Sequence, residues 1–346
     1  MVMPTTHQIH YTDSRSMDAI EDESVQLIVT SPPYPMIEMW DGIFAEMNQE
    51  IGEALSNEDG AAAFQLMHRE LEKVWTECVR VLSPGGMLCM NIGDATRTMD
   101  ENFRLWTNHA EIVRQCESLG LQNLPNILWR KPTNSPTKFM GSGMLPPGAY
   151  VTLEHEEILI FRKGGKRQFR TKDEKQNRRE SAFFWEERNR WFSDVWVDLR
   201  GIGQELNDAQ LRKRSGAFPF DLAYRLVNMF SVKGDTVLDP FLGTGTTMLA
   251  SMVAERSSIG VEIDPGFHKC IDTQVERVPE LSERVVTDRL QRHEEFVASR
   301  EKPFKYHNDF HDTPVVSGQE RELQLGEIDT IEPTGKNTFR VEYQNS

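Results

Sequence analysis

The chain has 346 residues, 27% of them charged and 38% hydrophobic, with a formal net charge of −15, and this length suits one large α/β core plus a smaller second unit. Its four cysteines are widely spaced, without a CxxC pair or a histidine cluster nearby, which disfavours a disulfide framework and a structural zinc site; the expected compartment is a reducing cytoplasm, and no metal is expected. No apolar run reaches membrane-span length and no basic then apolar leader begins the sequence, while the acidic balance argues against nucleic acid unless the basic residues are segregated.

They are segregated. Residues 162–190 hold eleven Lys or Arg against five Asp or Glu, a local net of +6 inside an acidic chain.

In chain order, a short strand is expected at 8–11, a helical turn at 14–21 and a buried strand at 25–30. That strand runs into Ser31, Pro32, Pro33 and Tyr34. Consecutive prolines fix φ and cannot donate ladder hydrogen bonds, so the strand must stop there. Ser31 and Tyr34 are thereby placed on a stiff loop at a strand's carboxyl end, the edge where open α/β sheets bind ligands. An acidic, Met-rich segment follows at 36–57. Apolar residues at Phe64, Met67, Leu71, Val74, Trp75, Cys78, Val79 and Leu82 recur every three or four positions, which predicts a one-sided helix over 60–82. Ser83, Pro84, Gly85 and Gly86 should end it. Further elements are expected as a strand at 87–92, a helix at 108–119, and strands at 126–130 and 151–161.

Residues 162–214 break this rhythm, being basic, rich in Phe and Trp, and without clear periodicity. A helix at 221–231, a strand at 236–238, a glycine-rich turn, a helix at 246–254, a strand at 258–263 and a charged helical stretch to about residue 299 then restore it. Beyond residue 301 the chain is polar and weakly patterned, an extension without an assigned role. The alternation of strands and helices predicts an α/β sheet.

Two constellations carry chemistry. In Asp239-Pro240-Phe241-Leu242-Gly243-Thr244-Gly245-Thr246-Thr247 a strand ends in a turn whose glycines let backbone approach a ligand, and a helix begins at once. Glu262 ends the next predicted strand, where an acid accepts hydrogen bonds from ribose hydroxyls. The lysine of a triphosphate-binding loop is absent. In the Ser-Pro-Pro-Tyr loop, Ser31 and the backbone carbonyls can accept hydrogen bonds from an NH2 group, and Tyr34 offers a face on which a planar base stacks. Asp94 reads equally as a pocket residue or a solvated turn.

The pair TSPPY and DPFLGTGTT resembles the DNA amino-methyltransferase family, which includes restriction-modification enzymes. Because the Ser-Pro-Pro-Tyr loop precedes the Gly-rich loop, the order looks like the circularly permuted β group. Arg80 to Gly86, Trp129 to Pro132, residues 154–163, and Phe218 with Pro219 add family-like pieces, so the resemblance covers about residues 6–163 and 214–265. It implies a Rossmann-like class I methyltransferase fold with a mostly parallel seven-stranded sheet. The implied division is a catalytic half at 1–161 with a helical insertion at about 36–59, a target-recognition domain at 162–214, a cofactor half at 215–300 and a C-terminal extension at 301–346.

The resemblance further implies S-adenosylmethionine as cofactor. Asp239, Phe241, Gly243, Gly245 and Thr246 would meet its methionine part, Glu262 its ribose and Asp13 its adenine, with Phe218 and Pro219 closing the pocket. Ser31, Pro32, Pro33 and Tyr34 would hold the target base. A serine at the first of these positions goes in this family with N4 of cytosine. Where members often carry a histidine ahead of the Phe-Pro pair, this chain has Ser215 and Gly216. The implied reaction is methyl transfer to a flipped-out base of double-stranded DNA. N6 of adenine, an RNA substrate and a silent DNA-binding relative are the alternatives; a companion restriction endonuclease and a homodimer stay open as partners, and no membrane is implied.

Overall fold

The apolar run Val25 to Val29 lacks polar alternation because both faces of its strand are covered. Leu27 and Val29 join one hydrophobic core and Ile28 joins the other. The computed structural model, which describes residues 3–131, 140–199 and 218–345, builds a ten-stranded sheet around this strand. In chain order the strands are β1 (Thr5–Tyr11), β2 (Val25–Thr30), β3 (Leu82–Ile92), β4 (Leu121–Arg130), β5 (His155–Lys163), β6 (Val195–Trp196), β7 (Thr236–Asp239), β8 (Ser257–Glu262), β9 (Gly326–Gly335) and β10 (Thr338–Asn345). Their spatial order is β6-β4-β5-β3-β2-β7-β8-β1-β10-β9. The five strands from β3 to β1 run parallel, β5 lies antiparallel between β3 and β4, and the β9–β10 hairpin adds antiparallel to β1.

The helices are α1 (Asp41–Met47), α2 (Gln49–Ser56), α3 (Gly60–Val81), α4 (Asn108–Ser118), α5 (Lys172–Glu180), α6 (Trp185–Trp191), α7 (Phe220–Phe230), α8 (Thr246–Val253), α9 (His268–Glu276) and α10 (Val278–Ser299). The apolar stripe of α3, with Trp75 and Cys78 at its centre, packs with α4 over one sheet face. Helices α7 and α8 cover the other. The expected α/β methyltransferase sheet is present as β4-β5-β3-β2-β7-β8-β1, and β6 and the hairpin extend it on either side.

Several expectations change. Residues 14–21 form turns and not a helical turn, because their backbone is claimed from outside: Arg80 donates to the Met17 and Ile20 carbonyls, and the Met17 N–H goes to Glu77. Strand β3 starts at Leu82, so the Pro-Gly-Gly run lies inside a strand, with Gly85 at φ +82°. Strand β5 starts at His155, four residues after the expected 151. The C-terminal extension is folded. Ile328 and Val341 are buried on the sheet, and the Tyr343 hydroxyl donates to the Met252 carbonyl.

The basic stretch needs a separate account. Strand β5 runs antiparallel to its neighbours, so its end at Lys163 lies at the amino edge of the parallel strands. There Lys163 Nζ donates to the carbonyls of Val79 and Leu82, and Arg167 grips Asp235 at 2.6 and 2.9 Å. Asn177 on α5 donates to the Lys233 carbonyl. Of the aromatics, Trp196 joins the main core, while Phe184 packs with Val286, Val315, Leu323 and Leu325 and stacks on His293. These aromatic residues are thus core, shared with the sheet and with the C-terminal segment. Arg200, Arg212, Lys213 and Arg214, along with Ser215 and Gly216, lie outside the described residues, as does Pro132.

Candidate active site

The carboxyl ends of β1, β2, β3, β7 and β8 share one edge, and the start of β5 joins them. Over this edge lies a cavity of about 540 Å³ lined by both constellations. Ser31 to Tyr34, Asp239 to Thr244, Thr246, Glu262, Asp13 and Phe218 all line it. Gly245 and Pro219 do not. Gly245 is the N-cap of α8 with φ +87°, a conformation that suits glycine, and Pro219 caps α7. Both support the wall from behind.

The Gly-rich half is built around two buried carboxylates. Asp239 is only 3% exposed and accepts from Thr30 Oγ1 at 2.7 Å and from the Phe241 N–H at 3.0 Å. Burial pushes its pKa from 3.8 to about 6, the hydrogen bonds from Thr30, Thr247 and Phe241 recovering only part of the cost. Glu262 accepts from the Gly243 N–H at 2.8 Å and the Asp264 N–H at 2.9 Å, and burial raises its pKa as well. Two desolvated acids in one cavity form an electrostatic demand for a cation and hydroxyl donors. Phe241, Ile263 and Phe267 supply apolar walls beside them. Asp13 differs. Burial alone would raise its pKa, but Arg15, at 2.6 Å and itself bonded to Glu70, holds it below the usual carboxylate range.

The Ser-Pro-Pro-Tyr half is ordered by hydrogen bonds that the sequence did not announce. Tyr34 Oη donates to Glu156 Oε2 at 3.0 Å and accepts from Asn91 Nδ2 at 2.8 Å and from Ser31 Oγ at 3.2 Å. Asn91 Nδ2 also donates to Glu156 Oε2 at 2.7 Å, and Lys131 Nζ meets Glu156 Oε1 at 2.8 Å. Burial and the Glu156 charge push the Tyr34 phenol well above its usual pKa, so it stays protonated. Gly93 lets the ring sit where it does, since a Cβ there would lie 2.8 Å from Tyr34 Cε2.

Sequence reasoning gave no site role to Asn91, Gly93, Glu156 or Lys131. The available signal was a charged residue at the start of a buried strand, His155-Glu156-Glu157-Ile158. Three polar residues in a row hide which one faces inward. Asp94 is a structural residue: it accepts from the His109 N–H at 3.1 Å and pairs with the His109 ring at 2.8 Å, holding the start of α4.

A family model described as DNA methylase, of the N6/N4 type, matches residues 25–273. The type II methyltransferase M.MthZI of Methanothermobacter thermautotrophicus is 52% identical over 99% of this chain and 96% of its own length, and M.MjaI of Methanocaldococcus jannaschii is 49% identical over 78% and 91%. Among solved structures, a candidate DNA modification methylase from Thermus thermophilus, complexed with S-adenosyl-L-methionine, superposes with a TM-score of 0.61 at 32% identity, covering 79% of this chain and 94% of that one. With the paired loops on one sheet edge and a family match over most of its length, the chain belongs to the N6/N4 DNA methylase family.

Proposed function

We propose that this methyltransferase modifies the exocyclic N4 amino group of cytosine in duplex DNA, on a base swung out of the helix into the Ser31–Tyr34 pocket. S-adenosylmethionine is the methyl donor, supplying an electrophilic methyl group on a sulfonium. The residues present suit it: Asp239 is a buried acid that an ammonium would relieve, and Glu262 can accept from a ribose diol. Phe241, Phe218 and the other apolar walls would sandwich the flat adenine ring, and Asp13 would receive the adenine amino group.

The direction of the hydrogen bonds at Ser31 carries the amino-group reading, and the serine itself, through the resemblance, favours cytosine. The Ser31 proton is spent on Tyr34, so the free lone pairs of its oxygen face the cavity, and an NH2 group is the matching donor. An amine inside a duplex cannot reach this floor, and flipping costs roughly a few kcal/mol of stacking and pairing. Stacking on the Tyr34 ring would return roughly 1–3 kcal/mol. Holding amine and methyl in line supplies much of the remaining acceleration.

The linear order, Ser-Pro-Pro-Tyr before the Gly-rich loop, fits the β group. Duplex recognition falls in this reading to residues 162–214. Since α5 is tethered at the far edge, residues 195–199 are the described ones of this segment that run toward the pocket's edge; strand β6 runs parallel to β4, and the Leu199 carbonyl accepts from Trp129 Nε1 at 3.1 Å.

The test uses tritiated S-adenosylmethionine and unmodified plasmid DNA, followed by digestion to nucleosides and mass spectrometry. Label in N4-methylcytosine is expected, abolished by Ser31→Ala and strongly reduced by Asp239→Ala. Label in N6-methyladenine alone would refute the cytosine assignment.

A further inference from the structure

Glu156 lies within the family-like piece 154–163, where the sequence gives it no role, and it closes a continuous run of hydrogen bonds that begins at the target-base pocket. A carboxylate can only accept. Because Glu156 Oε2 takes the Tyr34 proton, the Tyr34 oxygen is left to accept, and it does so from both Asn91 and Ser31. Asn91, 2% exposed, is locked in the same sense, since turning its amide over would set its oxygen 2.7 Å from the carboxylate. One acid thus sets the polarity of three groups.

We infer that Ser31, Tyr34 and Glu156 form the exit route for the proton released by the methylated amine, with Glu156 as the receiving base. The inference rests on the amino-methylation reading above. As the nitrogen–methyl bond forms, the sulfur–methyl bond breaks with its electron pair left on sulfur, and the nitrogen becomes cationic with one proton too many. That proton passes to Ser31 Oγ, the serine hydroxyl proton to Tyr34 Oη, and the tyrosine proton to Glu156 Oε2, which ends as a neutral carboxylic acid. Charge is conserved at each transfer, and Ser31 and Tyr34 end as they began. Glu156 then returns the proton to water on its Lys131 side, where the lysine is half exposed.

Glu156 touches no substrate atom and acts as a positioning and proton-receiving residue. The groups that face it are Lys131 from the end of β4, Tyr34 from the loop after β2 and Asn91 from β3. Lys131 gives the carboxylate a counter-charge at 2.8 Å. The buried phenol passes a proton without itself becoming an anion, consistent with its raised pKa.

The experiment compares wild type with Glu156→Gln, Glu156→Asp and Tyr34→Phe, using tritiated S-adenosylmethionine at saturation and unmodified plasmid DNA. Proton-transfer groups contribute roughly 10²–10⁴-fold, so Glu156→Gln and Tyr34→Phe should lower kcat by about a hundredfold or more. KM for DNA and the cofactor Kd, measured by calorimetry, should stay within about twofold. The calorimetric Kd also reports that each variant is folded. Glu156→Asp should recover part of the rate. At saturating cofactor the acid limb of the kcat–pH profile should vanish in Glu156→Gln, an outcome that a merely structural role would not produce. If wild type methylates DNA while Glu156→Gln keeps both its kcat and its acid limb, the route is wrong and the amino-methylation reading survives. If wild type itself places label on no exocyclic amine, that reading fails first.

Discussion

Asp239→Asn separates what the fold tolerates from what the cofactor needs. The carboxyl at 3% exposure has its pKa raised from 3.8 to about 6 by burial. A group raised in the folded state contributes stability that is present below 3.8 and lost as pH rises through 6, so in the free protein the ionised acid costs about 3 kcal/mol at neutral pH. Asparagine keeps an oxygen for Thr30 and the Phe241 N–H but carries no charge. The variant should therefore be more stable than wild type at pH ~8 by up to ~3 kcal/mol, or ~4 °C at ~2.1 cal/mol/K of unfolding entropy per residue. Near pH ~4 the gain should almost disappear. Added S-adenosylmethionine should reverse the ranking, raising the melting temperature of wild type and scarcely that of the variant, because the ammonium loses its counter-charge. Wild-type cofactor affinity should weaken as pH falls below 6. The measurement is calorimetric melting at the two pH values, with and without cofactor. A variant less stable than wild type at pH ~8, or a gain equal at both pH values, would refute the reasoning.

Three further outcomes follow from particular contacts. Gly93→Ala sets a Cβ 2.8 Å from the Tyr34 ring, so kcat should drop at least about tenfold while calorimetric cofactor Kd is unchanged. Gly260→Ala would set a Cβ 2.5 Å from Leu242 Cδ2 in the Gly-rich turn, costing roughly 1–3 kcal/mol in chemical denaturation and weakening the cofactor Kd. Asp94→Asn removes the partner whose hydrogen bond raises the His109 pKa; a raised histidine stabilises below its unfolded pKa and loses that effect as pH rises through the folded one. Because the histidine is 35% exposed, the loss should stay below ~1 kcal/mol, appear only in mildly acid denaturation curves, and leave methyl transfer intact.

The two loops were legible because each breaks a rule of its strand: prolines stop β2 and glycines turn β7, so both announce the carboxyl edge of the sheet. Glu262 was legible for the same reason, as an acid closing an apolar run. The supporting network was not. Asn91 and Glu156 meet across β3 and β5, a pairing of residues far apart in sequence that no local period encodes, and Gly93 acquires meaning only from the ring that lies over it. The basic stretch was read correctly as charged but not as tethered, since Arg167 finds its partner Asp235 sixty-eight residues away. The C-terminal hairpin escaped notice because its core-facing residues, Ile328, Ile331, Phe339 and Val341, are few and scattered among polar ones, without a sustained alternation.

That the Ser-Pro-Pro-Tyr loop comes before the Gly-rich loop has no chemical meaning once the sheet is formed. Thr30 and Asp239 are 209 residues apart, yet their side chains are 2.7 Å apart, and Thr247 Oγ1 on α8 donates to the Val29 carbonyl of β2 at 3.1 Å. Strand pairing of Val237 with Leu27 and Leu238 with Ile28 makes the two halves one floor. Loop-closure entropy grows only with the logarithm of loop length, about 0.6 kcal/mol per doubling, so either linear order can reach the same floor. The chain allows a direct test: Thr5 pairs with Val341, and Thr5 Oγ1 lies 2.7 Å from the Tyr343 hydroxyl. Joining residue 345 to residue 3 through a short Gly-Ser linker, and opening the chain between the exposed Gly164 and Gly165, would put the Gly-rich half first without cutting a strand of the sheet. The rearranged protein should keep cofactor affinity within about threefold and label the same nucleoside, because the bonds that join the two halves of the floor are side-chain contacts and strand pairing. If it folds, as judged by circular dichroism, but no longer binds cofactor, then chain order and not strand pairing holds Asp239 against Thr30.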